Sequence, residues 1–144
     1  MRIEPYLFLD GRCEEALDFY REKLGAEVTM LMRFSDAPSD GGPPPEGCDP
    51  PPAGTGDKIM HASFKVGDTT LMASDGNCGG SPRFEGMSLS LSVADDATAE
   101  RVFAALADGG QVQVPIAPSF FATRFGMVAD RFGVAWMVVT DTPH

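Results

Sequence analysis

Few side chains in this 144-residue sequence are suited to acid/base or coordination chemistry, and those that are lie on strand-like stretches. Histidine occurs twice, as His61 and as the final residue His144, so a site built on several imidazoles of one subunit is nearly excluded. His61 stands in a β-prone run. There it is either a hydrogen-bonded structural residue or, if it faces a cleft, a general base near neutral pH. Glu4 alternates with Tyr6 and Phe8 along the first strand-like stretch, with no obvious basic neighbour. On an apolar cleft wall such a carboxylate suits acid/base work or hydrogen bonding to a ligand; at a wet edge it is inert. Glu4 and His61 are the candidate catalytic groups.

The candidate ligand-binding residues are Tyr6, Ser88, Ser90, Phe121, Arg124 and Trp136. Phe120, Phe121, Phe125 and Trp136 form an aromatic cluster that either packs a core or lines a ligand. Arg124 among them either reaches a ligand carboxylate or phosphate or runs out to the surface. If Glu4, Tyr6, Ser88 and Ser90 share one concave face with Arg124 as its cation, the pocket favours a neutral or singly anionic ligand. Cys13, Cys48 and Cys78 are odd in number and lack CxxC spacing, which suggests neither a disulfide framework nor a thiolate zinc site and fits a reducing cytoplasm. Asp75 lies in SDGN, which reads as a turn. The sequence has no Ser-His-Asp order, Cys-His signature, phosphate loop or haem motif.

These residues must be held by elements that the periodicity makes visible. Residues 3 to 9 read as a strand with Glu4, Tyr6 and Phe8 on one face and Ile3, Pro5, Leu7 and Leu9 on the other. Cys13, Ala16, Leu17, Tyr20 and Leu24 then fall on one helical stripe, and Gly25 is placed to stop that helix in the left-handed conformation. Strands are predicted over 26–34, 58–66, 69–74 and 87–93, with Gly67-Asp68 as a hairpin turn. Asp95 or Asp96 caps a second helix whose apolar stripe is Ala99, Val102, Phe103 and Leu106. Strands over 111–116, 124–129 and 134–139 follow.

The order strand, helix, strand, hairpin therefore occurs twice. Gly25 and Gly109 are 84 residues apart but Met72 and Met137 only 65, a shortfall about the size of the run 35–57, which holds seven of the twelve prolines and five of the sixteen glycines. One decorated copy of a duplicated unit explains both offsets. The expected organisation is a single domain over 1–144, with module one at 1–76, its Pro-rich insertion at 35–57, and module two at 86–144.

A formal charge of −10 and a sequence pI near 4.4 argue against binding to nucleic acid or to anionic lipid, and no apolar run approaches the length of a bilayer span. The start lacks the pattern of an export signal.

The runs PYLFLDGRCEEALDFYREKLGAEV, DKIMHASFKVGDTTLMASDG and FGMVADRFGVAWMVV resemble the PhnB-like branch of the vicinal oxygen chelate superfamily, which includes glyoxalase I, bleomycin-resistance proteins and extradiol dioxygenases. The resemblance implies an α+β fold of two βαβββ modules forming curled mixed sheets around a cleft, usually in a homodimer. In metal-dependent relatives the ligands sit on the first and last strands of each module, which are Glu4, Met72, Ser88 and Met137 here. That set suits a hard or borderline divalent ion poorly. The expectation is a small-molecule-binding protein with no metal and no cofactor; the alternatives are a metal-dependent glyoxalase-type lyase or isomerase and a non-catalytic dimeric interaction module. Such sequences often carry the label of a 3-demethylubiquinone methyltransferase, yet nothing here resembles a nucleotide-methyl-donor site.

Overall fold

In the computed structural model, which describes residues 1–36, 56–76 and 82–141, the first strand is shorter than its sequence predicts. Strand β1 is Tyr6–Phe8. Pro5 has no N–H to give to a ladder, so the strand proper starts after it. Flanking bonds nevertheless continue the pairing, from Met72 N–H to Pro5 carbonyl and from Leu9 N–H to Ser74 carbonyl, both at 2.9 Å. The alternation holds: Leu7 and Leu9 are buried, whereas Tyr6 and Phe8 are more than a third exposed.

Helix α1, Cys13–Leu24, buries Cys13, Ala16, Leu17, Phe19 and Tyr20. Gly25 ends it at φ 69°, the left-handed conformation that costs other residues a Cβ clash, and its N–H reaches the Tyr20 carbonyl. Strands β2, Glu27–Arg33, β3, Ile59–Val66, and β4, Thr69–Ser74, complete a four-stranded sheet in the order β1-β4-β3-β2, parallel only between β1 and β4. The Tyr20 ring stacks on Phe64 of β3 at 5.8 Å. Asp75, just past β4, accepts the N–H groups of Cys13 at 2.8 Å and Ile59 at 2.9 Å, tying the helix start to the sheet.

The second half repeats the order. Strand β5, Leu89–Val93, leads to α2, Asp96–Ala107, whose N-cap Asp95 accepts the Thr98 N–H at 2.7 Å. Strands β6, Gln111–Ala117, β7, Phe125–Ala129, and β8, Ala135–Thr140, give a sheet ordered β5-β8-β7-β6. Ala99, Val102, Phe103 and Leu106 are buried, as their spacing predicts. Gly126 makes that packing possible, because a Cβ there would meet a Phe103 ring carbon at 2.6 Å. In both sheets a residue of the first strand opposes a methionine of the last: Tyr6 pairs with Met72 and Ser90 with Met137. Their spacings, 84 on the first strand and 65 on the last, match the expected duplication.

The chain divides into two compact units, Met1–Pro82 and Arg83–His144. The expectations for most of the Pro-rich insertion and for Cys48, Cys78 and His144 lie outside the described residues. Among the described residues no helix is long and apolar enough to cross a membrane.

Candidate functional site

Each sheet packs one face against its helix, and the other face carries the side chains available for chemistry. In the first unit two rows cross that helix-free face: Tyr6, Met72, Ser63 and Met30, then Phe8, Ser74, His61 and Met32. The register puts Tyr6 and His61 on strands separated by β4. The phenol nevertheless spans the gap: Tyr6 Oη lies 3.0 Å from His61 Nδ1, with the ring centroids 5.5 Å apart. On the other side of the imidazole, Nε2 is 3.4 Å from Ser63 Oγ. A phenol, an imidazole and a hydroxyl thus form a hydrogen-bonded chain beside Phe8 and Met72, an arrangement able to accept or deliver a proton.

In the second unit the corresponding rows are Ser90, Met137, Met127 and Val114, then Ser92, Val139, Phe125 and Ala117. Phe125 stands where the first unit has His61, so the acid/base chain belongs to one unit only. At the Ser88 end of this face is a cavity of about 600 Å³, walled by Met87, Met127 and Met137 with Ser88, Gln113 and Glu85 as its polar groups. At the other end Phe121 meets Phe125 edge-on at 5.0 Å and Phe120 at 5.1 Å.

Two expected ligand-binding residues lie on the helix side of the second sheet. Trp136 is 3% exposed on the helix side of β8, with its indole N–H donated to Asp130 Oδ2 at 2.9 Å. Arg124 is turned toward α2: its Nε donates to Glu100 at 3.0 Å, and Nη1 donates to the Thr123 carbonyl at 2.7 Å and stands 3.5 Å from Asp96. In β7 the residues Gly126 and Val128, of the same parity as Arg124, are the buried ones, and alternation carries Arg124 to the helix side with them. The expectation of a neutral or singly anionic ligand loses its cation. Glu4 precedes β1 and is paired with Arg2 at 3.2 Å, contrary to its expected lack of a basic neighbour. Asp75 is more than a turn residue, as its two backbone bonds show. Sequence reasoning missed Glu85, Met87, Gln113 and Met127: three lie in a glycine-rich connection or a bulged strand, where no periodicity marks a face.

Cys13 offers no nucleophile near neutral pH. Burial pushes its thiol up to about 12, and the nearby carboxylates of Asp75 and Glu14 add to the effect. Glu14 lies below the ordinary carboxylate range because it accepts a hydrogen bond from Arg33.

A divalent ion of the kind the superfamily implies finds no fitting donor set. The four positions assigned by the resemblance supply one carboxylate, Glu4, already paired with Arg2, two thioethers, Met72 and Met137, and the Ser88 hydroxyl. Magnesium, manganese, iron, nickel and zinc sites call for carboxylate and imidazole in greater number. Among the described residues there is no group of three or more His, Cys, Asp or Glu arranged to hold an ion.

Comparison with known proteins agrees with this architecture. The family described as 3-demethylubiquinone-9 3-methyltransferase matches residues 1–139. Protein PA1353 from Pseudomonas aeruginosa is 44% identical, with a TM-score of 0.81 and 97% of each chain covered. Protein YjdN of Escherichia coli is 30% identical over 96% of this chain and 94% of its own. A putative 3-demethylubiquinone-9 3-methyltransferase, PhnB protein, from Bacillus cereus is 25% identical, with a TM-score of 0.72 and 97% and 99% coverage. The fold alone is shared with a glyoxalase-related enzyme from Fulvimarina pelagi, at 20% identity, TM-score 0.57, and 98% and 88% coverage. The chain thus belongs to the 3-demethylubiquinone-9 3-methyltransferase family and is PhnB-like, with an α+β fold of two βαβββ units that the glyoxalase-related enzyme shares.

Proposed function

We propose that this protein binds a small organic molecule against the helix-free face of its second sheet, without a metal, and that any acid/base chemistry of the first unit is carried by His61. The observation that carries the reading is the cavity of about 600 Å³ on the second sheet, a size suited to a compact ligand, with apolar walls and a few polar groups to orient it. The hydrogen-bonded chain Tyr6, His61 and Ser63 supports the acid/base part, since each partner can donate or accept as the imidazole changes state.

Methyl transfer from a nucleotide donor, which the family's description names, is outside the proposal. Both strand-to-helix turns, residues 9–12 and 94–95, are short and hold a single glycine between them, unlike the glycine-rich turn that cradles such a donor. A metal-dependent lyase or isomerase is disfavoured by the donor set. A homodimer is part of the reading, because Met30, Leu31, Val112 and Val114 on the outer strands are each more than a third exposed and a second copy would cover them.

Native mass spectrometry and metal analysis of gently purified protein test these points together. A co-purified small molecule and no stoichiometric metal are expected. One equivalent of zinc, nickel, manganese or iron overturns the metal-free reading. His61→Asn is expected to keep ligand binding and abolish any proton-transfer activity; full activity in that variant removes His61 from the role.

A further inference from the structure

The cavity of the second unit lacks the cation, Arg124, that the sequence suggested for the pocket. With Arg124 turned to α2, Glu85 is the one charged side chain among the cavity's lining residues. Arg83, two positions earlier, is exposed and not among them. Side-chain hydrogen-bond donors on the lining are limited to the Ser88 hydroxyl and the Gln113 amide, each of which also accepts. The remaining wall is largely thioether: Met127 and Met137 oppose one another across β7 and β8, and Met87 joins them. Thioether sulfur is polarizable and a weak acceptor, and it donates no hydrogen bond.

An anion entering this space exchanges water for sulfur and carbon and meets the like charge of Glu85, with two donors to compensate it. A cation meets the opposite charge at the rim and polarizable acceptors within, and the net charge of −10 on the chain raises its local concentration. We infer that the cavity takes a cationic organic molecule, a protonated or quaternary amine carried on an apolar body. The inference rests on the small-molecule reading above and specifies its ligand class: the ammonium sits toward Glu85, Ser88 and Gln113, and the apolar body lies along Met127 and Met137.

The test compares three isosteric probes on the full chain by NMR titration: 4-phenylbutylamine, 4-phenyl-1-butanol and 4-phenylbutyrate. The amine is expected to bind tightest and the carboxylate weakest, with shifts centred on Ser88, Met127 and Met137. Glu85→Gln should reduce amine affinity roughly three- to tenfold, the range for one partly exposed charged contact, and leave the alcohol unchanged. Glu22→Gln on α1, which lowers the net charge equally, serves as the control and should leave the order of affinities intact. If the alcohol and carboxylate bind as tightly as the amine, the charge inference is overturned while small-molecule binding stands. An amine preference that survives in Glu85→Gln assigns it to net charge alone and overturns the site. Failure of all three to perturb the cavity residues at millimolar concentration overturns both this inference and the reading beneath it.

Discussion

The indole N–H of Trp136 points at a buried carboxylate, Asp130 Oδ2, 2.9 Å away, and the same carboxylate accepts the backbone N–H groups of Phe132 and Val134 through Oδ1. The side chain thus closes the turn between β7 and β8 and pins the tryptophan to the core. Trp136→Phe removes a hydrogen bond from a buried charge and is expected to destabilise the fold by about 1–3 kcal/mol without changing ligand affinity. Urea denaturation measures the first and titration with a bound ligand the second; a loss of affinity at unchanged stability would return Trp136 to the binding surface.

Arg124→Met should act in the same sense and more weakly. The guanidinium joins Glu100, Asp96 and the Thr123 carbonyl around the first turn of α2 and is partly exposed. A modest fall in melting temperature with no change in binding is expected, and the fall should shrink in high salt. A tenfold loss of affinity would place the side chain in the site after all.

The cap of α2 predicts a pH signature. Asp95 is held below its ordinary value of 3.8, chiefly by the Thr98 backbone N–H that its carboxylate accepts. A lowered folded value means that the stabilisation is complete above the unfolded value and disappears as pH falls through the folded one. Asp95→Asn keeps a capping side chain without the charge. The wild type should therefore melt higher than this variant at neutral pH, and the difference should vanish in acid once the pH has fallen through the lowered folded value. A difference independent of pH would show that the charge is immaterial.

Cys13 should resist alkylation. Its thiol, pushed up to about 12 and fully buried, stays protonated and shielded at pH 8. Iodoacetamide followed by peptide mapping is expected to leave residue 13 unlabelled in the native protein and labelled in denaturant. Rapid native labelling would mean that α1 leaves the sheet readily.

Residues 38–55 should be dispensable for folding. The chain on either side is already fastened, by Ser35 N–H to Gly56 carbonyl at 2.9 Å, Phe34 N–H to Lys58 carbonyl at 3.0 Å, and Arg33 Nη1 to Asp57 carbonyl at 2.6 Å. Replacing the segment with a short glycine linker changes the closure entropy by only about 1 kcal/mol, so the melting temperature should move little. Unfolding of the shortened protein would make the insertion structural.

Much of the fold was legible because its local signals agree. Leu7 and Leu9 against Tyr6 and Phe8, the stripe of α2, and Gly25 after α1 each follow one periodicity or one conformational preference. The faces of β7 and β8 were not legible in the same way, since Gly126 and Val128 alternate with Met127, and Trp136 and Val138 with Met137, leaving both sides apolar. The distinction lies in long-range partners: Glu100 draws Arg124 to the helix, and Phe103 needs the missing side chain of Gly126. The Tyr6–His61 contact spans 55 residues of sequence, and no spacing rule reaches that far. Glu85 and Met87 sit in a connection without regular structure, where only the folded chain reveals what they line.

Asp75 and Asp130 fasten the two units on different scales of chain. The bonds of the Asp130 side chain to Phe132, Val134 and Trp136 fall within six residues, so one hairpin is enough to form them. The side chain of Asp75 reaches 16 residues back to Ile59, within the β3–β4 hairpin, and 62 back to Cys13, a bond that exists only after α1 has docked on that hairpin. Loop-closure entropy therefore orders the events of folding: the turn of the second unit can set early from local contacts, whereas the clamp of the first waits for most of its unit to assemble.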